Sequence, residues 1–180
     1  MISTSLLIVA LASAPSGAGS PDPQPDRLVV SGQGCTFSVK QPPDWKSDSG
    51  ALAKSFNVNL LLTPKEEETK HPVVSIRVRV NGKTDEQIEK DLEIDVAGYL
   101  KEDPDVVVKP LDVAHATYSS VGSSVIERGM FSEYVLYVNP GKDFNFILSI
   151  ALSIRGREAT SDEMNAYREV VQSLQVMPAK

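Results

Sequence analysis

The sequence predicts an α+β fold, an antiparallel β-sheet with one strongly apolar face that is flanked by two helices. Three observations lead there. Several segments alternate polar and apolar residues with period 2, as half-buried strands do. Two other stretches open on a Thr-x-x-Gln or Thr-x-x-Glu pair and then repeat apolar residues at helical steps. The order along the chain is strands, helix, strands, helix, which places both helices against one sheet of antiparallel strands.

The first strand is expected over Thr36 to Lys40, with Phe37 and Val39 toward the core, and Gln41-Pro42-Pro43-Asp44-Trp45 ends it because consecutive prolines remove amide donors. Trp45, the only tryptophan, reads as a core anchor. Phe56, Val58, Leu60 and Leu62 predict a second strand that stops at Pro64. The third has Val74, Ile76, Val78 and Val80 on one face, with Ser75, Arg77 and Arg79 on the other; Asn81-Gly82 is expected to close it as a turn. Thr84 and Gln87 form a capping box for a helix that buries Ile88, Leu92, Val96, Tyr99 and Leu100 and ends at Asp103-Pro104.

Val106 to Val108, Asp112 to Ser120 and Ser123 to Phe131 read as less regular strands. Tyr134 to Val138, the turn Asn139 to Lys142, and Asp143 to Ile154 form a long hairpin, with Phe144, Phe146, Leu148, Ile150, Leu152 and Ile154 on one face. Thr160 and Glu163 form a second capping box. Met164, Tyr167, Val171 and Leu174 then give the buried stripe of a closing helix that ends before Pro178.

The N-terminus reads as an export signal. Leu6 to Ala12 are continuously apolar and the small residues Ser13 to Ala18 follow, the order of a secretory signal peptide with cleavage after Ala18. That run is too short to span a bilayer, which takes roughly 20 apolar residues, so no stable membrane anchor is expected in the mature form. Met1 to Ser5 contain no Lys or Arg, and a cytoplasmic N-terminus without export is the competing reading. Residues 19–26 carry Pro21, Pro23 and Pro25 and read as an extended linker. Residues 27–177 are then one domain, with periplasmic or secreted localisation.

Charge and motifs exclude more than they assign. With a net charge of −6 and no basic stripe, nucleic acid is not an expected partner. Cys35 is the only cysteine, so no intramolecular disulfide can form; it reads as a buried small hydrophobe, and the polar residues before it exclude a lipid anchor. His71 and His115 have no neighbours at metal-ligand spacing. Gly32-Gln33-Gly34 lacks a phosphate-binding context, and Ser123-Ser124 lacks a nucleophile elbow. The acidic cluster of Asp85, Glu86, Glu89, Asp91 and Glu93 reads as a solvated helix face. No catalytic residue, cofactor or metal is assigned.

In its opening strand with the Pro42-Pro43-x-Trp45 turn, its mid-chain helix from Thr84, its hairpin from Tyr134 and its closing helix through Tyr167 to Leu174, the chain resembles the Mog1/PsbP-like superfamily. That superfamily includes PsbP-related and DcrB-like bacterial proteins. The resemblance covers roughly Thr36 to Val176 and implies an α/β/α sandwich. It also implies a binding or assembly role rather than catalysis, toward a protein or an envelope component, with a cytoplasmic secretion adaptor or chaperone of the same fold as the alternative.

Arg77 and Arg79 are the candidate partner-binding pair, since two residues apart on a strand they share the face away from the core. An open face lets them take a carboxylate or phosphate from a partner. A face covered by a helix layer requires internal acidic partners, and that second arrangement is the expected one.

Overall fold

The computed structural model describes residues 27–32, 34–68, 70–83 and 88–177. Its strands are β1 (Arg27–Gly32), β2 (Cys35–Lys40), β3 (Trp45–Asp48), β4 (Leu60–Pro64), β5 (Val74–Gly82), β6 (Val107–Pro110), β7 (Ser119–Glu127), β8 (Phe131–Asn139), β9 (Phe146–Arg155) and β10 (Gln175–Met177). The helices are α1 (Ala51–Ser55), α2 (Ile88–Glu102) and α3 (Ser161–Ser173). Seven strands form one antiparallel sheet in the order β3-β4-β5-β9-β8-β7-β6, and β1-β2-β10 form a second, small one.

Period-2 alternation builds the main core. Val74, Ile76, Val78 and Val80 of β5 face the same way as Leu148, Ile150, Leu152 and Ile154 of β9. Phe37 and Val39 of β2 and Tyr167, Val170 and Val171 of α3 close over them. Each such side chain contributes about 1.5–3 kcal/mol when fully withdrawn from water. Tyr167 is fully buried, and its hydroxyl donates to Ile150 O at 3.0 Å, so α3 is tied to the sheet by a hydrogen bond as well as by packing.

The second capping box forms as expected. Thr160 Oγ1 accepts from Glu163 N at 3.3 Å and Glu163 Oε2 accepts from Thr160 N at 2.8 Å. Arg157 adds two further bonds to the same carboxylate, at 2.8 and 2.6 Å, and holds the Glu163 carboxyl below its ordinary range.

On the opposite face, α2 packs on β7 and β8. Ile88 and Leu92 meet Val135, Tyr137, Ile147 and Ala151 there, a second and smaller apolar cluster. The layers are thus α2, the seven-stranded sheet, and α3 with the small sheet. Because α2 covers only one side of its face, the half over β5 and β9 is left as a groove.

The structure corrects several expectations. Residues 51–55 form α1, because Asp48 Oδ1 accepts from the amides of Gly50 and Ala53 and starts a turn, so the second strand begins at Leu60 and not at Phe56. Asn81-Gly82 is not a turn: both residues continue β5 and pair with Ile147 and Phe146, a ladder that outweighs their turn propensity. Asp112 to Tyr118 are irregular, and a single strand, β7, runs from Ser119 to a turn at Arg128 to Met130, where Gly129 supplies a φ of 77°. β1 and β10 were not expected; both are held by pairing with β2. The capping box at Thr84 and Gln87, the export signal and the linker lie outside the described residues.

Candidate functional site

Arg77 and Arg79 do lie on the face of β5 opposite the main core, yet the structure treats them differently. Arg77 is half-buried and forms an ion pair with Glu133 of β8. Ser153 of β9 stands between them: its hydroxyl accepts from Arg77 and donates to Glu133 Oε1 at 2.9 Å. The other carboxylate oxygen, Oε2, accepts from the hydroxyl of Tyr99 on α2. Burial, with the adjacent negative charge of Glu133, pushes the Tyr99 phenol well above its ordinary range.

A second phenol mirrors the first. Tyr137 of β8 donates to Asp95 of α2, and burial together with that carboxylate raises its pKa strongly. The two bonds run in opposite senses, one phenol on the helix and one on the sheet, and fix α2 over β8. Both are charge-assisted and partly shielded from water, the condition in which such bonds are strongest.

Between these latches and β5 lies a cavity of about 390 Å³. Ile147, Val135 and Ala151 form part of its floor, and Asn81, Ser149 and Arg79 bring polar groups to it. Beside it lies another of about 450 Å³, reached over the end of β5, to which Lys54 and the last residues of β1 contribute. Arg79 lines both and is exposed. Among the described residues its side chain makes no hydrogen bond or ion pair. Cavities of this size and mixed lining are of the kind that hold small ligands or a short stretch of chain.

The remaining candidates are structural. His115 is buried, its Nε2–H donates to Leu174 O at 3.1 Å, and its Nδ1 accepts from the amides of Thr117 and Tyr118, both at 3.0 Å. Those partners fix the neutral tautomer, and burial lowers its pKa. His71 is exposed. Cys35 is buried, which raises its thiol pKa and removes it from thiolate chemistry. Ser123 Oγ and Arg77 Nε are buried without a partner among the described residues. No group of three His, Cys, Asp or Glu able to hold a metal ion occurs among the described residues. Asp85 and Glu86 of the acidic cluster lie outside those residues.

Glu133, Tyr137 and Asp95 were not singled out from the sequence, and Tyr99 was expected only as a buried residue of the α2 stripe. Their one local signal is that Phe131, Glu133, Val135 and Tyr137 share a strand face, which places a carboxylate and a phenol in a half-apolar row.

No family model matches the sequence, and no curated protein matches it either. Solved structures do. LpqN of Mycobacterium tuberculosis, described as involved in cell envelope biogenesis, superposes with a TM-score of 0.56 at 18% identity, covering 84% of this chain and 91% of that one. The chain shares the fold of LpqN. The solution structure of cyanobacterial PsbP (CyanoP) from Synechocystis sp. PCC 6803 gives a TM-score of 0.48 at 14% identity, over 91% of this chain and 100% of that one. No helix among the described residues is long and apolar enough to cross a membrane.

Proposed function

We propose that this protein is an exported, non-enzymatic binding module, and that the groove between α2 and β5 is where it takes up a protein or an envelope component. The observation that carries the reading is Arg79: an exposed guanidinium with no partner among the described residues, set between two adjoining cavities on a sheet face that α2 leaves half uncovered. A cation in that position pairs with no described residue and is available to a ligand. Export is supported by the apolar run Leu6 to Ala12 with its small-residue tail. The envelope role described for LpqN, which shares the fold, is consistent with it.

Two measurements on the natively expressed chain test this. The N-terminal residue of the purified protein is expected to be Gly19; an intact Met1 in the soluble cytoplasm overturns export and favours a secretion adaptor or chaperone. Photo-crosslinking from position 49 or position 94, exposed and lining the two cavities, is expected to give a discrete adduct in the envelope fraction. No adduct from either position, with adducts from an exposed control such as Lys142, overturns the groove as the binding site.

A further inference from the structure

We propose that the partner is an extended acidic peptide, which enters the cavity beside the groove, adds to the open edge of β5 at Val80 and Gly82 and places a carboxylate at Arg79 and Lys54. This rests on the binding-module reading and gives it a partner class.

The backbone supplies the first argument. β4 pairs with β5 only from Leu60↔Val78 to Leu62↔Ile76, whereas β9 pairs along the other side as far as Gly82↔Phe146. Among the described residues the last part of β5 therefore has a neighbour on one side only. On the vacant side Asn59 N donates to Val78 O at 2.9 Å, and Val80 N donates to Asn59 Oδ1 at 2.7 Å. Successive residues of a strand direct their N–H and C=O groups to opposite sides, so the C=O of Val80 and both polar groups of Gly82 share that vacant side. Lys83 N, one residue on, bonds Asn145 O in the direction of β9, as this alternation requires. Backbone groups left in such a row are a template for another strand.

Space and charge supply the rest. The vacant edge borders the cavity of about 450 Å³. Its far wall is formed by Val30, Ser31 and Gly32 of β1, itself an edge strand of the small sheet. No described residue lies within 4 Å of where a Cβ would stand on Gly82, so a second backbone can approach it. Among the described residues no acidic side chain lines this cavity, while Arg79 and Lys54 do, and neither of these two has a side-chain partner there. On a chain of net charge −6 this is a local cationic site, complementary to an acidic segment and opposed to a basic one. Main-chain pairing supplies affinity in this binding mode and side-chain contacts supply selectivity.

The full chain, isotopically labelled, is titrated with a capped hexapeptide alternating valine and glutamate and followed by amide NMR. Saturable shifts at Val80 and Gly82, with slowed exchange of the Gly82 amide, are expected. Affinity should fall about tenfold or more in Arg79→Glu and in Lys54→Glu, exposed positions whose exchange leaves the remaining spectrum unchanged. N-methylation of alternate peptide amides should abolish binding. The proposal is overturned if the lysine counterpart binds as well, if the N-methylated peptide still binds, if acetate or inorganic phosphate shifts the same signals equally, or if no signal moves. Should the peptide fail while crosslinking from position 94 still captures an envelope component, only the partner class is lost.

Discussion

Replacing Glu133 by Gln tests the polar latch at its centre. One carboxylate accepts from Arg77, Ser153 and Tyr99, while the isosteric amide offers one acceptor oxygen and turns an NH2 toward groups that are themselves donors. Deleting one charge of a fully buried pair costs about 3–5 kcal/mol. Here the Glu133 side chain is 12% exposed and the Arg77 side chain 30%, so water solvates part of the stranded guanidinium and the expected cost falls to about 2–3 kcal/mol. For a domain of this size 1 kcal/mol corresponds to about 3 °C, so Tm should fall by about 6–9 °C in thermal denaturation, with a matching loss in urea. The cycle with Arg77→Met should show coupling of about 1–2 kcal/mol. The Tyr99 phenol should titrate lower in the variant, though still above an ordinary tyrosine because burial persists. A loss below about 0.5 kcal/mol, or strictly additive single variants, refutes the latch.

Three further outcomes are expected. Burial lowers the His115 pKa, so the unfolded chain binds a proton where the folded one does not; stability should decline as pH falls through about 6.5 and level off once the folded imidazole protonates. Comparing urea midpoints between pH 7 and 5, His115→Gln should lack that component of the slope, and an unchanged slope rejects the account. In Gly122→Ala the new Cβ would sit 2.5 Å from Val135 O and 3.0 Å from Leu136 Cδ1, so β7 must move away from β8 at a cost of about 1–3 kcal/mol; wild-type Tm would show the contact is relieved at no cost. Thr160→Ala removes half of the capping box and should cost about 1 kcal/mol, measured by chemical denaturation, while Arg157 still holds Glu163.

Elements that generate their own pattern were legible in the sequence. β5 alternates cleanly because one of its faces meets the main core, and the start of α3 is written in Thr160 and Glu163. Elements defined by a distant partner were not. β10 is three residues long and exists because Ser38, Phe37 and Thr36 offer it an edge; α1 is five residues and depends on the Asp48 carboxylate. Asn81-Gly82 shows the same competition from the other side. Local turn propensity favours ending the strand, but the ladder to Ile147 and Phe146 is contributed by residues more than sixty positions away.

The two arginines show why the site was only half legible. Period 2 places Arg77 and Arg79 on one face, and nothing nearer in the chain separates them. Their fates are set by what lies across β9 and β8. Register aligns Arg77 with Ala151 and then Val135, small and apolar neighbours that let the guanidinium reach diagonally to Ser153 and Glu133. Arg79 aligns with Ser149 and then Tyr137, whose hydroxyl is already committed to Asp95. Its row contains no carboxylate, and its neighbours toward β4 are Asn57 and Val58 in the shared cavity lining. A shift of two residues along one strand therefore converts a structural ion pair into an available cation. Only strand order and register, which no local pattern encodes, decide which arginine is which.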